Sequence, residues 1–178
     1  MMNQPAEIID YDPSYVAQTA QAYLDVFTSP PWNETLSLND ALSQLEADAE
    51  REGFAGLLIR AGNDIAGFSW WFDISGRDLY DRWQPRFVPK ENVPYLEGKG
   101  SFLMEFGVVS GLRHHGLGNR MLQTTLNLIE PSHDWIALNT SNIAHAGLAL
   151  LMSHAFEDLG LKGIQVPSRI CLLKTIRR

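Results

Sequence analysis

The 178-residue chain reads as a mixed α/β sheet with helices packed against it. Three observations predict that class. Apolar segments of strand length alternate along the chain with segments whose apolar residues recur at helical spacing. Glycine or proline punctuates most of the junctions between them. The composition, 45% hydrophobic and 20% charged, is that of a chain able to bury one sizeable core. The length fits a single domain over residues 1–178.

The elements follow in order. Glu7–Tyr11 reads as a first strand. Asp12-Pro13 opens a helix, since Asp caps the free amides and Pro suits the first helical position. Val16, Ala20, Tyr23, Leu24 and Phe27 then recur at helical spacing until Ser29-Pro30-Pro31 stops them. A second helix fits 38–50, with Leu38, Ala41, Leu42 and Leu45 on one face. Phe54–Arg60 and Ile65–Ile74 read as strands joined in a hairpin by Ala-Gly-Asn-Asp. Residues 75–98 are polar, with Pro85, Pro89 and Pro94 among Tyr80, Trp83, Phe87 and Tyr95. They read either as a lid or binding segment or as a surface loop pinned by its aromatics. Beyond them the pattern predicts a strand at 101–109, a helix at 117–129 and a strand at Trp135–Asn139. A helix at about 143–157 and strands near 161–166 and 168–175 complete the chain.

Charge and cysteine usage narrow the function. The net charge is −7, which argues against nucleic acid as a partner. Residues 1–89 hold 14 acidic and 5 basic side chains, and residues 90–178 hold 7 and 9. Solvated helix faces account for this, or a cationic ligand on the first half and an anionic one on the second. No apolar run approaches the roughly 18 residues of a membrane span. The start, MMNQPAEIID, has neither the basic nor the apolar region of a secretory signal. Cys171 has no internal partner, and together these point to the cytoplasm. Its apolar neighbours predict a buried strand thiol.

The junction FLMEFGVVSGLRHHGLGNRML, residues 102–122, carries the chemistry. A nucleotide-triphosphate loop fails here, because Leu117-Gly118 stands where Lys and Ser/Thr are needed. A dinucleotide G-x-G-x-x-G fails too, because Met121 follows Gly116-Leu117-Gly118 where a glycine is required. What remains is R-x-x-G-x-G, Arg113 to Gly118. Glycines let a main chain approach a bulky anion, and an opening helix presents unpaired amides and partial positive charge. A pyrophosphate fits that description, with Arg113 or Arg120 adding charge from the flank. A ligand-free glycine turn is the plain alternative.

In its setting the motif resembles the cofactor segment of the GNAT acetyltransferase superfamily. There a strand ending in an aliphatic pair, here Val108-Val109, leads through [QR]-x-x-G-x-[GA] into a helix. The order of elements over residues 7–175 is similar. Asp64-Ile65-Ala66-Gly67-Phe68 resembles the family's second-to-third strand turn, and Ala155-Phe156 its Gly-Phe close. The resemblance implies a mixed, mostly antiparallel central sheet with helices on both faces, the acyl-CoA N-acyltransferase fold. It implies acetyl-CoA as co-substrate, no metal, and a small-molecule amine acceptor, with the protein a monomer or homodimer. By position it implies cofactor contacts from Gly107, Val108 and Val109, from Arg113, His114, His115, Gly116, Leu117, Gly118 and Asn119, and from Asn142. His114 and His115 would serve through their backbones.

A primary amine with a pKa of about 10.4 is mostly protonated near neutrality, so acetyl transfer to it needs a proton acceptor. Glu105 is the candidate, three residues before Val108 and the sole acid between Glu97 and Glu130. A structural carboxylate bound to backbone or a core arginine is the other reading. A tyrosine that protonates the leaving thiolate often stands four residues before the Gly-Phe close, where this chain has Leu151. Asn142, His145 and Ser153 are nearby alternatives, or the thiolate leaves unassisted. For the acceptor, Trp32 and Glu34 follow the first helix. Trp70 and Trp71 point to opposite faces of one strand, and Asp73 shares a face with Trp71. With Tyr80 and Trp83 they form a set suited to a cation. A non-catalytic CoA sensor on the same fold is the alternative function.

Overall fold

Asp12 accepts the Ser14 amide at 2.8 Å and so starts a 3₁₀ turn over Pro13–Tyr15. In the computed structural model, which describes residues 6–176, that turn links β1 (Glu7–Asp10) to α1 (Val16–Thr28). Ser29 ends α1, as the following prolines require. Ser37 and Asp40 form a reciprocal capping box that opens α2 (Leu38–Ala49). Ala41 and Leu45 are buried, whereas Leu38, the first helical residue, stays 42% exposed. The hairpin is formed by β2 (Ala55–Ala61) and β3 (Asp64–Ser75), with Gly62 left-handed at its turn.

The segment 75–98 is more regular than its sequence suggests. Ser75 accepts the Asp78 amide at 3.1 Å and caps α3 (Gly76–Trp83), which runs on to β4 (Phe87–Val88). Leu79 and Trp83, one helical turn apart, are fully buried, and so is Phe87. Trp83 therefore belongs to a core and not to a cation cage.

β5 (Lys99–Val108), α4 (Leu117–Ile129), β6 (Trp135–Ser141), α5 (His145–Ser153), β7 (Glu157–Gly163) and β8 (Arg169–Thr175) follow. α4 spans the residues its spacing predicts, burying Met121, Leu122, Leu126 and Ile129. α5 is shorter than predicted, because Ala155 adopts φ 64° and turns the chain away. β7 accordingly begins four residues before the predicted strand.

The eight strands are ordered β1-β2-β3-β5-β6-β8-β7-β4. Every register described is antiparallel except that of β5 with β6, which covers Gly100–Phe102 opposite Trp135–Ala137. The chain groups into two compact units. One runs to Phe72 and takes in Met104–Asn127; the other holds Asp73–Leu103 and the residues from Leu128 onward. The first has a core of Val26, Phe27, Leu45, Leu58, Phe68 and Trp70. Thr125 of α4 donates to Ser69 of β3 at 2.9 Å inside it. The second buries Phe102, Ile136, Phe156, Leu161 and Leu172. Cys171 is buried there, its Sγ 3.5 Å from Asn139 Oδ1, and burial pushes its thiol well above the usual range. No helix among the described residues is long and apolar enough to cross a membrane.

Candidate active site

The loop after β5 is built by local conformational choices. A 3₁₀ turn at Ser110–Leu112 follows Val109, then His114 and Gly116 take left-handed φ of 67° and 76°. The Arg120 amide donates to Gly116 O at 3.1 Å, the bond that starts α4. Among the described residues, the amides of His114, His115, Gly116, Leu117 and Gly118 have no partner in the protein. A Cβ added at Gly111 or Gly116 meets no atom within 4 Å. The Cβ directions of these two glycines are therefore open. An open groove of about 750 Å³, bordered by Asp25, Asp64, Ile65, Ser110 and His115, lies on the hairpin side of the loop.

The arginines of the motif face elsewhere than expected. Arg113 donates from Nε to Val108 O at 3.0 Å, from Nη1 to Pro30 O at 2.5 Å and from Nη2 to Val26 O at 3.4 Å. Its positive fork joins the end of β5 to the last turn of α1 and the segment after it, and a cation is favoured at such a helix end. Arg120 donates to Ala6 O at 3.3 Å. Both guanidinia are engaged by main-chain carbonyls. Asp25 of α1 adds a second brace, accepting the Ser110 amide at 2.6 Å and its hydroxyl at 3.2 Å. The loop is thus tied to α1 at both Ser110 and Arg113.

Within β5, Met104, Glu105 and Phe106 are half-buried in a strand otherwise mostly buried. Tyr23 of α1 donates its hydroxyl to Glu105 Oε1 at 3.3 Å. Gly107 has a packing role, since a Cβ there would come within 2.8 Å of Val26 and 3.0 Å of Phe68. The Val109 amide is taken by Ala66 O at 2.9 Å, so this residue offers no amide to a cofactor. Val108 is buried, its carbonyl engaged by Arg113.

The acceptor candidates are dispersed. Trp32 is half-buried and packs on Phe27, ring centroids 5.5 Å apart; Glu34 beside it is exposed. Both lie in the unit that carries the loop and Glu105. Trp71 is buried in that unit. In the other unit, Asp73 pairs with Lys99 at 2.8 Å and with His133 at 2.9 Å, so its charge already has internal partners. These partners hold its carboxyl below the usual range against the opposing effect of burial, the largest single influence. Tyr80 packs edge-on to Tyr95 at 5.9 Å. The Asn142 amide is bound by Ser168 O at 2.8 Å, and Leu151 is buried. Among the described residues, no group of three or more His, Cys, Asp and Glu could hold a metal.

Tyr23, Asp25 and His133 went unassigned in the sequence. Tyr23 reads there as one more apolar position of a helical stripe. His133 donates or accepts at Ile129 O, 2.8 Å away, and at Asp73, and joins the end of α4 to β3.

No family model matches this chain, and no curated protein matches it by sequence. Solved structures do. The ribosomal-protein-S18-alanine N-acetyltransferase from Escherichia coli is similar at 12% identity and TM-score 0.68, over 98% of this chain and 96% of that one. The PaiA N-acetyltransferase from Thermoplasma acidophilum, in complex with coenzyme A, is similar at 10% identity and TM-score 0.66, over 97% and 99%. Arabidopsis thaliana NAA60, in complex with a bisubstrate analogue, gives 10% identity and TM-score 0.66 over the same shares. A structure of a GNAT-family acetyltransferase from Streptococcus pneumoniae matches at 17% identity and TM-score 0.61. The chain therefore has the fold of the GNAT N-acetyltransferases, a mixed α/β architecture on an eight-stranded, mostly antiparallel sheet.

Proposed function

We propose that this protein moves the acetyl group of acetyl-CoA to a primary amine of a small, cationic acceptor by direct attack in a ternary complex. One observation carries the reading: five consecutive amides, His114 to Gly118, have no partner among the described residues, and a Cβ at Gly111 or Gly116 beside them would meet nothing within 4 Å. Such a cradle suits a diphosphate, and it lies on the strand–helix junction that also carries Glu105. Acetyl-CoA would supply an activated thioester there. The chain's own residues do the rest. The amides of 114–118 fix the diphosphate, and Glu105 takes the proton that the acceptor nitrogen loses as its C–N bond to the acetyl carbon forms, while the thioester C–S bond would break and CoA would leave as the thiolate. Trp32 and Glu34 offer an aromatic wall and a negative charge to the acceptor. Asp73 is not needed for this, given its two internal partners. The net charge of −7 and the buried lone thiol suit a cytoplasmic enzyme, monomer or homodimer, without nucleic acid as partner.

A second reading, a CoA-binding sensor without turnover, is favoured by Leu151, which cannot donate a proton to a thiolate. Thiol release from acetyl-CoA across a panel of amines separates the two. The enzyme releases thiol with at least one amine, and Glu105→Gln lowers kcat by roughly 10²–10⁴-fold while CoA affinity stays within threefold. Tight CoA binding with no thiol release on any amine would establish the sensor.

A further inference from the structure

We propose that Tyr23 is a positioning residue for Glu105, holding its carboxylate ionised and oriented as proton acceptor. The role rests on the acyl-transfer function proposed above. The Tyr23 ring packs against three aromatic neighbours. It lies 4.5 Å from Phe27, 5.6 Å from Phe68 at 25° and 5.9 Å from Trp70 at 21°, centroid to centroid. Trp70 is itself held by donation to Asp48 at 3.1 Å. A phenylalanine would satisfy all of this packing. The hydroxyl is what remains to be explained, and it donates to Glu105 Oε1.

The groups facing that phenol decide which way its proton goes. Glu105 comes from β5, Glu34 from the segment after α1, and Asp48 from α2. Asp48 is balanced by Arg51 at 3.2 Å. Burial first, and then these carboxylates, raise the Tyr23 pKa far above its ordinary value. Tyr23 therefore keeps its proton at every working pH. A donor that never dissociates favours the charged form of its acceptor, so Glu105 stays ionised to lower pH than it would beside an apolar ring.

The test is a ¹³C NMR titration of Glu105 in protein with labelled glutamate, the signal assigned by its loss in Glu105→Gln. Tyr23→Phe keeps the ring stack and is expected to raise the Glu105 midpoint by about one pH unit. 3-Fluorotyrosine installed at position 23, a stronger donor of the same shape, is expected to lower it. With an accepted amine, the acidic limb of the kcat profile moves with the midpoint in each variant, and CoA affinity stays within twofold. A purely structural tyrosine would change the melting temperature and leave the midpoint where it is, and that result overturns the proposal. Glu105→Gln with full turnover would instead overturn the use of Glu105 as acceptor and Tyr23's role with it.

Discussion

Ala155 shows how one dihedral angle shapes a boundary. Its φ of 64° lies in the left-handed region, where a Cβ crowds the following carbonyl. The residue is exposed, so no packing gain offsets that strain, yet the turn is needed to end α5 and start β7. Glycine removes the strain at a smaller entropic cost in the unfolded chain. Ala155→Gly is expected to stabilise the protein by about 0.5–1 kcal/mol, read as a melting temperature a few degrees higher. A lower melting temperature would mean that the methyl group has a packing partner. Arg113 makes the complementary point about side chains. It is the first letter of the motif, but its guanidinium serves the carbonyls of Val108, Pro30 and Val26, so an anion held at the loop would be left to the main chain.

At the level of elements, two glycines in adjoining segments have opposite reasons. Gly107 lies where α1 crosses β5, and a methyl there would press into Val26 and Phe68. Gly107→Ala is expected to cost about 1–3 kcal/mol by overpacking. Gly111→Ala meets nothing and should change stability by less than about 0.5 kcal/mol. Paired denaturant melts check this; equal losses would overturn the contrast. Such distinctions were only partly legible in the sequence. The R-x-x-G-x-G junction and α4 were readable because glycine conformations and helical periodicity are local properties. α3 was hidden by the prolines and polar residues around it, although Ser75-x-x-Asp78 is a capping pattern and Leu79 and Trp83 share a face. The strand start at Glu157-Asp158 was masked by charge. The partner of Tyr23, and two of the three carbonyls bound by Arg113, lie some 80 residues away, and no local pattern encodes where a hydroxyl or a guanidinium points once distant segments meet.

For the whole molecule, the charge asymmetry of the sequence halves persists in the structural units. The unit that carries the loop and Glu105 contains 12 of the 21 acidic side chains and 4 of the 14 basic ones. A diphosphate held there would rely on backbone dipoles, whereas a cationic acceptor would be drawn by the surrounding field. The brace from Arg113 to Pro30 has a further consequence, because Trp32 lies two residues beyond its carbonyl partner. Trp70, Trp71, Trp83 and Trp135 are buried, which leaves Trp32 as the half-exposed indole. The molecule thus carries its own optical reporter: filling the loop with CoA should pull on that tether and shift the emission maximum, and Trp32→Phe should silence the change.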